Sequence, residues 1–189
     1  IKSNNLELKF AKKNKLPIYK RGDMLAHIVS LKKNIVITGS HGKTTTTSLI
    51  SSILYASKFD ATVINGGVIN QFQNSAKLGK SEWSVLESDE SDGSFSFLPS
   101  YGGVITSIDN EHIDFYGSKK KLIESFHSYI KNISPFGFLA VSEKDKNIQL
   151  ILKNLSLVLV RQFMVFQKTE FAEMMIIIFV QLIHMVNQN

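Results

Sequence analysis

The sequence predicts an α/β fold of P-loop type, a mainly parallel sheet flanked by helices, and three observations carry that expectation. A strand pattern at residues 34–38 passes through a glycine-containing turn into a helical pattern at 44–58, the strand-loop-helix unit of nucleotide-binding folds. Short apolar runs at 61–64, 83–86, 103–108 and 138–142 then alternate with helical patterns at 119–131 and 146–153. Strands alternating with helices imply parallel strands covered on both faces. Finally, 189 residues that are 43% hydrophobic suffice for one sizeable core and would crowd two.

The elements before and after this unit read differently. Residues 1–31 look like a linking segment: a polar helix at 6–15, an extended piece at 16–19 and a second helix at 23–31. Residues 32–155 form the nucleotide-binding unit proper. After Leu155 the chain becomes apolar with little turn chemistry, at 157–160, 163–166 and 174–180. Residues 156–189 are therefore expected to be a divergent tail that does not continue the fold. Its longest apolar stretch is interrupted at Gln181 and His184, short of the roughly 18 to 20 residues a membrane helix needs. A membrane anchor is not expected.

Composition narrows the function classes. There is no cysteine, so disulfides and thiolate metal sites are excluded and oxygen and imidazole remain as ligands. That favours hard cations such as magnesium. The net charge of +6 gathers near the start, at Lys2, Lys9, Lys12, Lys13, Lys15, Lys20 and Arg21. These lysines are not interleaved with aromatic side chains, so a solvated helix face is expected rather than a nucleic-acid surface. The opening stretch shows no signal-peptide pattern, which points to a cytoplasmic chain.

The run GSHGKTTTT at 39–47 carries the first chemistry. Gly39 and Gly42 allow a tight turn with amide N–H groups facing phosphate oxygens, and the positive end of the following helix adds to the field. Lys43 would reach the β- and γ-phosphates, and the hydroxyl of Thr44 or Thr45 would coordinate their magnesium. The usual GxxxxGK[ST] spacing needs glycine where Ile37 stands, so this is a shorter variant.

Carboxylates carry the second. Glu87, Asp89, Glu90 and Asp92 fall within six residues directly after a strand. Bunched carboxylates repel unless a cation neutralises them. A later strand ends at Asp109-Asn-Glu-His-Ile-Asp, so Glu111, His112 and Asp114 reach the phosphate loop if these strands end on one edge of a parallel sheet. His112, lying among carboxylates, is a candidate metal or phosphate group. His27, His127 and His184 lack such company and are read as structural.

Taken together, these motifs resemble the Mur ligases, and within them the alanine-adding branch. The resemblance covers residues 16–152: Leu16-Pro-Ile-Tyr-Lys-Arg-Gly-Asp-Met-Leu-Ala, GSHGKTTTT, Asn65-Gly-Gly, Asn74-Ser-Ala-Lys-Leu-Gly, ESDESDGSF, Asp109-Asn-Glu-His-Ile-Asp with Tyr116-Gly117, and Pro135-Phe-Gly-Phe-Leu-Ala-Val. It implies a cytoplasmic, ATP-dependent ligation of L-alanine to UDP-N-acetylmuramate in peptidoglycan synthesis. ATP phosphorylates the muramoyl carboxylate, the alanine amine attacks the acyl phosphate, and ADP and phosphate leave. The resemblance further implies that Gly39, Ser40, His41, Gly42, Lys43, Thr44 and Thr45 hold ATP, with Lys43 on the γ-phosphate. Thr44 and Glu87 would hold its Mg2+, and His112 a second Mg2+ near the acyl phosphate. Lys43 and His112 are then the catalytic candidates.

Where the family has acidic-Ala-Asp-His, this chain has Asp109-Asn-Glu-His. Family members also carry an amino-terminal UDP-sugar domain and a carboxy-terminal closing domain that the sequence does not show. Residues 1–31 are accordingly expected to be the link from the former, residues 32–155 part of the central ATPase domain, and the chain inactive alone. The alternatives are a non-catalytic nucleotide-binding module or a degraded, non-functional product, for which the strand-like tail speaks.

Overall fold

The computed structural model describes residues 3–142, 144–153 and the backbone of 162–166. Two helices lead in: α1, Leu6–Lys13, capped by the Asn5 side chain on the Leu8 amide, and α2, Arg21–Val29. The sheet follows, with strands β1 (Lys33–Thr38), β2 (Thr62–Ile69), β3 (Asn74–Lys77), β4 (Trp83–Glu87), β5 (Ser100–Ile105), β6 (Ile133–Ser142) and β7 (Gln162–Phe166). Between them run α3 (Lys43–Ala56), a single 3-10 turn (Ser94–Phe97), the short α4 (Ile113–Tyr116), α5 (Lys119–Lys131) and α6 (Lys146–Lys153).

The seven described strands lie in the order β3-β2-β4-β1-β5-β6-β7. Every pairing is parallel except that of β2 with β3. After β1 the chain moves outward to β2, and after β4 it crosses β1 to build β5 and β6 on the other side. The sheet therefore changes direction at β1, between β4 and β5, where open α/β sheets bind ligands beyond the strand ends.

Alternation along β1 shows why both faces need cover. Ile35 and Ile37 join Val85, Val104, Phe138 and Ala140 against Ile50 and Leu54 of α3. Val36 points the other way, into a larger core with Leu86, Ile105, Leu139, Val29 of α2, Ile148 and Ile151 of α6, and Phe126 and Tyr129 of α5. Phe95 of the 3-10 turn stacks on Phe126 at 4.8 Å between ring centres. The Tyr129 hydroxyl donates to the Val36 carbonyl at 3.0 Å, and complete burial keeps that phenol protonated by pushing its pKa up.

The α/β expectation holds, with α5 and α6 at the anticipated residues. Strands β2 and β6 run longer than the apolar runs at 61–64 and 138–142, α2 begins and ends two residues early, and three further features differ. The fifth strand runs over Ser100–Ile105 rather than 103–108, because residues beyond Ile105 turn to bind the phosphate loop: the Ser40 amide donates to the Ser107 carbonyl. Strand β3, Asn74–Lys77, has no apolar alternation; it is an edge strand folded back on β2 in an antiparallel hairpin. The expectation that nothing after Leu155 continues the fold is also corrected. Residues Gln162–Phe166 pair in parallel with β6, from Phe138↔Gln162 to Ser142↔Phe166, and extend the sheet. Their polar flank hid this, since one short apolar run without turn signals is ambiguous. The other two apolar runs of the tail, at 157–160 and 174–180, lie outside the described residues. Among the described residues no helix is long and apolar enough to cross a membrane.

Replacing Phe126 with Ala removes a ring that is wholly buried between α5 and the 3-10 turn. Urea unfolding of Phe126→Ala is expected to show a stability loss of about 3–5 kcal/mol.

Candidate functional site

The site forms where β1, β4 and β5 end together. Gly39 has φ +123°, and a Cβ there would stand 2.4 Å from the Thr106 hydroxyl and 2.7 Å from the Ser107 carbonyl, so only glycine lets the loop lie this close to the β5 end. The contact is reinforced by the Ser40 amide on the Ser107 carbonyl at 2.9 Å, the Asp109 amide on the Ser40 hydroxyl at 2.9 Å and the His41 amide on the Ser107 hydroxyl at 3.2 Å. The Ser40 and His41 amides are thus held by Ser107. The amides of Gly42 through Thr45 open α3 and have no partner within the helix, which makes them the groups of the loop able to receive an anion. His41 lies on the surface, its Nε2 3.1 Å from Asp109 and 3.5 Å from Glu111.

Lys43, the first residue of α3, folds back beneath the loop. Its ammonium donates to the Gly39 carbonyl at 2.7 Å, to the Ser40 carbonyl at 3.4 Å and to Glu90 Oε2 at 2.8 Å. Thr44, one residue on, donates its hydroxyl to Glu87 Oε1 at 2.9 Å, while Glu87 Oε2 accepts from the Gly66 amide at 2.7 Å. Glu87 ends β4 and Gly66 lies in β2, so two neighbouring strands fix this carboxylate. Gly66 is required by that approach, because a Cβ there would sit 2.8 Å and 2.9 Å from the two Glu87 oxygens.

His112 caps α4 with φ +56°, a left-handed conformation uncommon for a side-chain-bearing residue. Its Nε2 lies 3.6 Å from Glu90 Oε1, and ligand atoms of Asp89, Glu90 and His112 all fall within 4.8 Å of one another. Burial opposes ionisation of Asp89, yet the Ser91 hydroxyl and amide donate to it and Lys43 lies 3.9 Å away, so its carboxyl is held below the usual carboxylate range. Tyr116 is pushed the other way, first by burial and then by the Glu90 and Asp92 charges, and remains a donor to the Glu90 carbonyl.

The structure therefore divides the residues that the sequence grouped. Thr44 and Glu87 share one corner of the site, with Gly42 and Thr45 beside them at the start of α3, and Lys43 links it to a second corner through Glu90. His112 belongs to this second corner with Asp89 and Glu90, while Ser40 and His41 serve the loop's attachment to β5. Asp89 and Glu90 stand in the acidic run read from the sequence without a role of their own, and Glu90 is the more deeply placed. It is 1% exposed, and its Oε1 has no hydrogen-bond partner among the described residues. Its place in the acidic run was visible, but not its burial against Lys43.

Oxygen donors at Thr44 and Glu87, and a buried carboxylate oxygen without a donor at Glu90, suit a hard divalent cation. A cleft of about 610 Å³ opens beside Glu87, between Arg21, Met24, Leu25 and Ile28 of α2 and residues Ile64, Asn65 and Gly66 of β2. Arg21 is the one basic group among its lining residues.

Fold and site define a nucleotide-binding α/β domain with a short phosphate loop facing an acidic strand edge. The chain belongs to the Mur ligase family, the model of whose middle domain matches residues 37–181. It is 57% identical over 157 residues to the UDP-N-acetylmuramate–L-alanine ligase of Pelagibacter ubique, covering 83% of this chain and 34% of that one. To the enzyme of the same name from Paramagnetospirillum magneticum it is 46% identical, covering 80% of this chain and 32% of the relative. The chain thus spans about a third of the length of these curated relatives. Among solved structures it resembles the UDP-N-acetylmuramate-alanine ligase of Thermotoga maritima, with TM-score 0.74, 24% identity, and coverage of 80% of this chain and 35% of that one. The ADP complex of another Mur ligase of Thermotoga maritima matches with TM-score 0.58 and 21% identity, over 80% of this chain and 38% of that one. At those identities the solved structures speak to the fold.

Because a Cβ at position 66 would press on both Glu87 oxygens, Gly66→Ala must displace the carboxylate that Thr44 contacts. Calorimetric titration with magnesium-ADP is expected to show roughly tenfold weaker binding, with ADP in excess chelator little changed.

Proposed function

We propose that this chain supplies the nucleotide and magnesium part of an ATP-dependent ligase joining L-alanine to UDP-N-acetylmuramate in cytoplasmic peptidoglycan synthesis. The observation that carries the reading is the Thr44–Glu87 contact beneath the start of α3, a hydroxyl and a carboxylate side by side at the phosphate end of the loop. The names of the 57% and 46% identical relatives supply the choice of alanine.

In this reading Gly42 to Thr45 receive the phosphates on their amides, and Lys43 places its ammonium against the γ-phosphate. Thr44 and Glu87 would hold Mg2+, which when bound would supply charge neutralisation on the phosphate oxygens. His112, with Asp89 and Glu90, stands on the β5 side, where a second cation would be held near the acyl phosphate. The cleft along α2 opens at Glu87 and fits the acyl acceptor, its apolar wall of Met24, Leu25 and Ile28 shielding the acyl phosphate from water. Phosphoryl transfer of this kind needs positioning and charge stabilisation more than covalent help from the protein.

The test has two arms. Magnesium-ATP titrated into the chain is expected to bind, with Lys43→Ala weakening affinity about tenfold or more. Phosphate release is then followed with UDP-N-acetylmuramate and L-alanine, using glycine and L-serine as controls. Alanine-dependent release supports the ligase. Binding without release in any combination limits the chain to nucleotide binding, and absence of binding removes the proposal.

A further inference from the structure

We propose that Glu90 is a positioning residue that aims the Lys43 ammonium through a buried ion pair which persists when nucleotide binds. The inference rests on reading the loop as a nucleotide site and assigns to Glu90 Oε2, which faces Lys43, a role distinct from that of Oε1, which faces His112.

The ammonium of Lys43 has three hydrogens, and the Gly39 carbonyl, the Ser40 carbonyl and Glu90 Oε2 already engage them. A phosphate oxygen must therefore displace one partner. The two carbonyls are neutral and belong to the loop itself. Glu90 is an acidic side chain only 1% exposed, and its second oxygen already has no hydrogen-bond partner among the described residues. Withdrawing the ammonium would take from Glu90 Oε2 its 2.8 Å donor and leave the buried carboxylate facing only His112, 3.6 Å from Oε1, beside Asp89, the costlier exchange. The carbonyl bonds yield, and Lys43 turns about Glu90.

Glu90 is built to serve as that pivot. Its carbonyl accepts from the Tyr116 hydroxyl and from the Gly93 amide at 3.1 Å, so its backbone is gripped from α4 and from its own turn. A lysine has a flexible four-carbon stem, and fixing its head beforehand reduces the freedom lost when phosphate arrives. The opposite role is also concrete: a carboxylate that merely competes with phosphate for the lysine would make binding tighter when neutralised. The two roles differ in sign.

A double-mutant cycle in magnesium-ADP affinity separates them, using Glu90→Gln, Lys43→Met and the pair. Glu90→Gln alone is expected to weaken binding by roughly threefold to tenfold. In the Lys43→Met background the same change is expected to alter affinity by less than about twofold, because its effect passes through the lysine. Tyr116→Phe, which frees the Glu90 backbone and leaves the carboxylate, should show a smaller loss with the same dependence on Lys43. It carries the test if Glu90→Gln does not unfold cooperatively. Tighter binding by Glu90→Gln overturns the proposal in favour of competition, and equal weakening in both backgrounds overturns it in favour of a scaffold role. If Lys43→Met leaves affinity unchanged, the nucleotide-site reading itself fails, an outcome distinct from the other two.

Discussion

The site depends on a buried charge that must be matched. Glu90 lies at 1% exposure three residues after the end of β4, where it opens the turn, and a carboxyl buried there needs a partner. Lys43 answers it, and to do so must begin its helix under the loop rather than project into solvent. That requirement fixes the glycine turn before it, and the turn in turn needs the β5 end as a wall, through Ser107 and Thr106. Three parallel strands are thus tied at one edge by an ion pair and a few loop hydrogen bonds, while the two apolar cores hold them in register from either face.

Much of this was legible in the sequence because the chemistry is local. The strand, glycine turn and helix around Lys43 lie in one continuous stretch, and Glu87 and His112 each follow a strand whose direction the alternation with helices already implied. What was not legible depended on distance. Nothing in the run Glu87-Ser-Asp-Glu distinguishes the carboxylate that faces Thr44 from the one buried on Lys43; only the depth of the turn below the strand end does so. Likewise Ser40 and His41 look like phosphate ligands by position, and the structure assigns their amides to Ser107, a partner more than sixty residues away. Strand β3 and strand β7 escaped for related reasons. The first, at the sheet edge, needs no apolar face, and the second is recognisable chiefly by its pairing with β6.

The electrostatic balance of the site bears on what can enter it. Glu87, Asp89, Glu90, Asp109 and Glu111 converge there, against Lys43 and two histidines. Lys43 is already neutralised by Glu90, and the histidines carry charge only when protonated. Under the proposed nucleotide reading, a polyphosphate approaching alone would meet more negative than positive charge at this edge. A divalent cation arriving with it reverses the sign at Glu87, whose two oxygens are fixed by Thr44 and Gly66 in advance. In that reading the acidic rim would disfavour bare phosphate and favour its metal complex. The loop would then supply the geometry of phosphate binding and the strand ends its dependence on the metal.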